Sequence, residues 1–564
     1  MRRAVPALIA LVVLLGVATA CGDDAAGPAH PADTIGYVVD APVSTYNAGT
    51  VDGAASGARQ ALVRVLPGFS YPAPSGRALP DTDFGIAAAE PGSPRTIGYR
   101  INPAAVYSDG ASVTCDDLVL AWAAHSGRFP GFDAADRTGW SDIDSVDCRP
   151  GAKDATAHLR SDLADWRSLF GATSLMPAHV VARATGVDDI VGAVQRGDQR
   201  ELGAIARFWN TGWKLAPGRV DLSLLPSAGP YRIASYGADG KLVLVANERW
   251  WGDPPRTETI AVFARGATFD ERALAERTDA GQVDVVDIGA GALGDGVGAG
   301  FTSTTTPAMN TEQLILRTEG ALASAGARRA LASCVPRRDL ADRILTPLYG
   351  KSGASLDTHL QLPGTALYPR TAAVVGDRFA VPDIGAARSA VADAGVGALT
   401  VRIGYLAPDA RRARTVSQIA AACRPAGITV VDAGSRLFTP SALRAGTVDA
   451  VLGGTSATSG AGGAAPATVR GAGLRSGNGA NIGGYANDRI DAIVDRLATL
   501  PDEVGAEQSD LSTEAERILW QDLPSIPLFL QPRTIAVASG ISEVRANPTW
   551  AGAGWNMDRW TLHR

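Results

Sequence analysis

The sequence predicts an α/β fold, and three observations predict it. Val401–Tyr405 reads as a strand, Arg411–Cys423 as a helix and Ile428–Val431 as a second strand, a βαβ-like succession of the kind that builds layered α/β domains. Thr34–Asp40 is a nearly unbroken apolar run ending in the polar turn Pro42–Thr50, the pattern of a buried strand. From about residue 261 onward, extended blocks alternate with helical ones. With 564 residues, 46% of them apolar, the chain can bury large cores in two or three lobes.

Taken in order, the chain opens on Arg2 and Arg3, an apolar stretch from Val5 to Val17, small residues at Ala18 and Ala20, and then Cys21. That order reads as an export signal over residues 1–20 ending in a lipid-attachment cysteine, with 21–32 as a polar tether. The apolar stretch is too short for a membrane span, and later apolar runs are only a few residues. The expected location is the cell membrane, lipid-anchored on its extracytoplasmic face. Four cysteines remain, and in an exported chain an even number suggests two disulfides. Sequence allows three connectivities; the sequential one, Cys115–Cys148 and Cys334–Cys423, is expected.

Gly57–Leu66 follows as a helical stretch, and 67–95 is rich in glycine, proline and small residues. Thr96–Ile101 returns to a strand pattern. Thr114 can cap a helix whose first turn carries Asp116 and Asp117 and whose buried face carries Leu118, Ala121 and Trp122. Tyr231–Ile233 and Lys241–Val245, joined through Asp239-Gly240, form a hairpin signal. Ala321–Val335 reads as a helix, whereas 453–484 is glycine- and alanine-rich with few apolar anchors. Asn487 or Asp488 precedes Ile490, Ile493, Val494 and Leu497 at helical spacing. Thr513–Glu516 reads as a capping box starting a last helix, and Leu523–Leu530 as an extended segment after it.

The formal charge is −6, or −8 once Arg2 and Arg3 are removed, and the basic residues are dispersed, which argues against nucleic acid as a partner. No nucleophile elbow, zinc-protease helix or phosphate loop is present. Glu201, Asp221, Glu248 and Glu258 have no pairing for acid–base work, and the six histidines, His125 and His179 among them, are scattered. The expectation is no enzyme, no cofactor and no metal. Tryptophans gather in two regions, Trp209 to Trp251 and Trp550 to Trp560, and such faces can wall a ligand. Tyr46 and Asn47, in the turn after the first strand, are ligand candidates because α/β clefts lie beyond the carboxyl ends of strands.

Several segments, in order, resemble the family 5 extracellular solute-binding proteins, the peptide- and oligopeptide-type receptors of ABC importers. Tyr107-Ser-Asp-Gly-Ala-Ser-Val-Thr-Cys-Asp-Asp-Leu-Val-Leu-Ala-Trp122 is similar to the family signature that leads into a helix. Leu175-Met-Pro-Ala-His-Val180, Ala228-Gly-Pro-Tyr-Arg-Ile233, Asn247-Glu-Arg-Trp-Trp-Gly252 and Gly281-Gln-Val-Asp-Val-Val286 follow it. Ala327–Leu331, Asn481–Asn487 and Ile526–Phe529 complete the order.

The resemblance implies a type II periplasmic-binding-protein-like fold, two lobes around a cleft with an extra inserted domain. Lobe I would comprise 33–60, 170–262 and 481–564, the extra domain 61–169, and lobe II 263–480. It implies a peptide or similar elongated polar solute held by hinge closure, a membrane permease that reads the closed state, and no covalent step. Trp209 belongs to the aromatic candidates. Arg317 stands where the family commonly has asparagine, and could pair a ligand carboxylate. The glycine-rich run Gly453–Gly462 replaces a tryptophan and an acidic residue that the family often carries, leaving Arg475, Asn478 and Tyr485 as replacement candidates. The lipid anchor and extra cysteines also resemble an actinobacterial lipoprotein branch, the LpqW type. For that branch the resemblance implies an alternative: a non-transport regulator of cell-envelope glycolipid synthesis with an envelope-protein partner.

Overall fold

A computed structural model of the chain describes residues 33–294, 297–350, 353–395, 398–454, 471, 473–500 and 505–563. Cys21, the export signal and the tether lie outside the described residues. Among those described, no helix is long and apolar enough to cross a membrane.

The elements that position the site begin with β1 (Thr34–Val39), the two antiparallel strands β2 (Gly85–Glu90) and β3 (Ser93–Ile101), and helix α1 (Cys115–His125). Then come β4 (Ile143–Cys148), β5 (Asp154–Leu159), α2 (Gln199–Thr211), β6 (Tyr231–Tyr236), β7 (Leu242–Ala246) and β8 (Thr259–Ala264). Helix α3 (Glu271–Asp279) leads to β9 (Val285–Gly289) and the long β10 (Phe301–Leu316). The second half holds α4 (Ala325–Cys334), α5 (Arg337–Tyr349), β11 (Leu399–Gly404), α6 (Ala410–Cys423), β12 (Ile428–Asp432) and β13 (Ala450–Gly453). Helices α7 (Asp488–Thr499) and α8 (Ala506–Asp522) precede the long β14 (Ser525–Ala538).

Ten strands form one twisted sheet in the order β12-β11-β13-β10-β14-β9-β1-β8-β7-β6. All six residues of β1 are buried, and it pairs in parallel with β8 on one side and β9 on the other. A strand covered on both faces needs a continuous apolar run, which is why its sequence does not alternate. The predicted βαβ passage forms as β11, α6 and β12, with the two strands parallel. A separate four-stranded antiparallel sheet, β2-β3-β5-β4, carries α1 and makes the inserted domain. At the start of α1 the Asp117 carboxylate accepts the Thr114 N–H at 3.1 Å, as its sequence leads one to expect.

The molecule is thus a two-lobed α/β protein whose lobes share β10 and β14. These strands pair antiparallel from Phe301 and Ala538 at one end to Ile315 and Ser525 at the other. Their register shifts between Pro307 and Thr311, and Pro307 lies opposite Pro532 at that break. Neither proline can donate to the ladder, so the pair is free to bend where it passes between lobes.

Two expectations change. The chain does not pass to lobe II at 263: β9 lies against β1, so 259–289 shares the first lobe's half of the sheet. A strand-like Gly-x-x-Asp segment carries no sign of which neighbour it pairs with. Thr513–Glu516 does not start a helix either, because α8 begins seven residues earlier, after Gly505. Glu516 is buried and accepts the N–H groups of His359 and Leu360 at 2.7 and 2.8 Å, capping another segment instead of its own.

Both sequential disulfides are present, Cys115–Cys148 between α1 and β4 and Cys334–Cys423 between the ends of α4 and α6. The second closes the longer span, 89 residues against 33, and both its cysteines are fully buried. Replacing Cys334 and Cys423 together by alanine is expected to lower unfolding stability by about 2–4 kcal/mol, read as a fall in the urea midpoint. An unchanged midpoint would mean that packing alone holds α4 to α6.

Candidate functional site

Polar groups converge where the strands of the two lobes end toward each other. Asp40 follows β1, Arg265 follows β8, and across from them stand Gly453 at the end of β13 and Leu406 just past β11. They enclose an inner cavity of about 150 Å³, whose polar lining includes Arg59, Arg412 and Arg533, with the Trp550 ring beside them. Groups from both lobes line it, so it is the interlobe cleft, at the position an open α/β sheet favours.

The lobes are closed on one another. Arg265, held by the Asp40 carboxylate at 3.0 Å, donates across the cleft to the Pro408 carbonyl at 2.6 Å and the Leu406 carbonyl at 3.3 Å. The Asp52 carboxylate accepts the Ser441 N–H at 3.0 Å and its hydroxyl at 2.8 Å. Arg411 donates from Nε to the Ala290 carbonyl at 3.0 Å.

The floor is charged. Glu312 on β10 is fully buried between Arg412 at 2.7 Å and Arg411 at 3.3 Å. Burial alone would raise its pKa, but the two guanidinium groups outweigh burial and hold the carboxyl below its usual range. Asp40 is held down in the same way against burial, by Arg265, Arg533 and Arg412. Asp287 on β9 is clasped by Arg533 and also accepts the Ala553 N–H at 2.7 Å.

Arg59 lies over the Trp550 ring, 5.3 Å from its centroid, and burial pulls its pKa down to about 10 against the opposing pull of Asp136. This pair also borders a smaller space of about 30 Å³ lined by His125 and Trp140. There His125 Nε2 is buried without a hydrogen-bond partner, and burial pulls the imidazole pKa down to about 4, so it is neutral near pH 7. On the other side of Ile482 an outer compartment of about 460 Å³ holds Arg137, Arg317, Arg444, Asn478 and Tyr485.

The sequence-derived candidates therefore separate. Arg317, Asn478 and Tyr485 line the outer compartment, where Arg317 pairs with Glu319 and the Tyr485 hydroxyl donates to Asp522 at 2.7 Å. Arg475 is turned away and pairs with Asp495 at 2.6 Å. Tyr46, Asn47 and Trp209 are packed inside lobe I. The Tyr46 hydroxyl donates to the Pro226 carbonyl at 2.8 Å, and Asn47 Nδ2 to the Trp209 carbonyl at 2.8 Å. The chain turns inward after β1, so Asp40 reaches the cleft while Tyr46 does not. Sequence offers no signal that sets Arg59, Arg265, Arg412 and Arg533 apart from other arginines: three stand near the ends of their elements, but Arg533 lies in the middle of β14. Of the glycine-rich segment, Gly453 and Gly454 line the inner cavity, and 455–470 lie outside the described residues.

Comparison with known proteins gives three findings. Residues 91–472 match the family described as bacterial extracellular solute-binding proteins, family 5. An uncharacterized lipoprotein of Mycobacterium tuberculosis is 43% identical over 563 residues, covering 98% of this chain and 97% of the relative. Among solved structures, a periplasmic EDTA-binding protein, EppA, superposes with a TM-score of 0.73 at 20% identity, over 95% of this chain and 98% of that one. Haemophilus influenzae OppA, in complex with the peptide RPPGFSPFR, superposes with a TM-score of 0.71 at 15% identity, over 95% and 100%.

Because the Glu312 carboxyl titrates below its unfolded value of 4.5, its contribution to stability is complete above that pH. It is lost as pH falls through the depressed folded value. Urea midpoints measured from pH 7 down to pH 3 are expected to drop below about pH 4.5. In Glu312→Gln that acid-side drop should shrink and the pH 7 midpoint should fall, because Arg411 and Arg412 lose a buried counter-charge. A variant with the parent's full acid-side drop would place the titration elsewhere.

Proposed function

The chain belongs to the bacterial extracellular solute-binding proteins of family 5, and from that premise we propose that it is the lipid-anchored receptor of an ABC-type importer. In this reading Cys21 carries the anchor, the body sits on the extracytoplasmic face of the membrane, and the cleft traps a short peptide or a similar polar solute. The lipoprotein name of the 43% identical mycobacterial relative supports the anchor. The protein binds and releases; it is not an enzyme.

The observation that carries the reading is a cavity enclosed between two lobes that share only bending strands, its wall mixing Asp40 and four arginines with apolar residues such as Ile315, Phe438 and Val451. A solute bound to lobe I in the open form gains the lobe II groups, Arg412 among them, when the cleft shuts. That differential contact is what shifts a hinge equilibrium. The inner compartment, about 150 Å³, is smaller than the roughly 300–1,000 Å³ typical of ligand pockets. A single residue or a carboxylate-bearing end fits there, and an elongated solute extends past Ile482 into the outer compartment. Arg59, lying over the Trp550 ring at the cavity wall, presents a positive charge to that end of the solute.

Calorimetry with pools of di- to tetrapeptides tests this directly. A binding pool is expected, with affinity reduced about tenfold or more by Arg59→Ala, and by Arg317→Ala if the solute reaches the outer compartment. A protein that binds no solute but captures an envelope protein would replace this reading with the regulatory one.

A further inference from the structure

A second cavity, about 430 Å³, lies on the opposite face of the strands shared by the lobes. On β14 Arg533 lines the cleft and the next residue, Thr534, lines this cavity, as alternation along a strand requires. Its walls come from both lobes: Ile288 from β9, Ile344 and Leu348 from α5, and Arg411, Arg414 and Gln418 from α6. The last three fall at offsets of three and four, on the helix face beside the buried one that carries Thr415, Val416 and Ile419.

The chemistry of the lining is lopsided. Its charged members are Arg343, Arg411 and Arg414, and among the described residues no carboxylate lines it. Arg411 is 1% exposed, and its Nη1 and Nη2 complete no hydrogen bond, although Glu312 and Asp409 stand 3.3 and 3.8 Å away. Gln418 Oε1 is buried without a partner as well. A buried polar atom left this way takes its partner from outside the protein, either water or a ligand. An amide can present either end, so Gln418 can supply a donor beside Arg414.

We infer that this cavity is a second binding site, for a single-chain anionic amphiphile. Its carboxylate or phosphate head meets Arg411, Arg414 and Gln418, and its chain lies against Ile288, Ile344 and Leu348. The site has a consequence for the cleft. Its walls come from both lobes as they stand in the closed form, where the Ala410 and Arg411 N–H groups donate to the Ala292 and Gly291 carbonyls at 3.1 and 3.2 Å, so an occupant that touches both walls favours that form. By reciprocity it raises affinity for the cleft solute by the factor that the solute raises its own.

The test uses the full chain with Cys21→Ser, so that no attached lipid competes, and calorimetric titration with octanoate, octyl phosphate and neutral octanol. At least one anion is expected to bind saturably and about tenfold more tightly than octanol. Arg414→Glu should remove that preference, and Leu348→Trp, which fills the cavity, should remove binding while the thermal unfolding profile keeps its shape. Which anion binds identifies the head as carboxylate or phosphate. The inference is overturned if neither anion saturates, or if Arg414→Glu and Leu348→Trp both bind as the parent does. None of these outcomes depends on finding the cleft solute.

Discussion

Strands β10 and β14 belong to both lobes, and the molecule is arranged around keeping that pair intact while it bends. Two features locate the bend. Pro307 faces Pro532 across the pair, and the register slips before it resumes at Thr311. Asn310 stands inside the slip, lines the inner cavity, and donates to Gln531 Oε1 at 3.3 Å. A bulge that both loosens the ladder and aims a side chain into a cleft is a common use of this irregularity. On either side the two strands stay paired, with a second register shift between Glu312 and Gln313, and each lobe has its own apolar core, so the lobes can move as bodies.

Buried charge is concentrated at the same place. Glu312, Asp287, Arg411, Arg412 and Arg533 gather where a purely apolar core would have been simpler. Ion pairs of this kind contribute little net stability, because desolvation offsets most of the attraction. They do penalise every wrong arrangement, since a slipped register would leave a buried charge without its partner. In a strand pair already interrupted by two prolines, that penalty keeps the register from drifting further.

Much of the fold was legible in the sequence, because the signals that carried it are local. The apolar run of β1, the Asp239-Gly240 hairpin turn and the βαβ spacing of β11, α6 and β12 each depend on near neighbours. That two disulfides form was legible for a different reason, an even count in an exported chain, but which cysteines pair needed the structure. The Thr513 capping box failed because a Thr-x-x-Glu pattern occurs inside helices too, and Glu516 answers to His359 and Leu360, more than 150 residues away. The candidate site was the least legible part. Arg59, Arg265, Arg412 and Arg533 come from four separate stretches, and an arginine bound for a cleft looks in sequence like one bound for solvent. Tyr46 and Trp209, large and well placed in sequence, were used for packing instead.

The closed form itself is held lightly. Val51 of lobe I packs with Leu443, Val448 and Val451 of lobe II in a small apolar cluster, and a few hydrogen bonds such as Asp52 to Ser441 surround it. Fully exposing one such aliphatic side chain costs about 1.5–3 kcal/mol, and each hydrogen bond adds about 0.5–1.5 kcal/mol net. This cluster is small beside the core of either lobe. Moving a two-state equilibrium from mostly open to mostly closed takes about 5 kcal/mol of differential binding. A solute that meets two or three charged groups of lobe II only after closure can supply that much. A broader apolar seam between the lobes would have fixed them shut and left the solute nothing to decide.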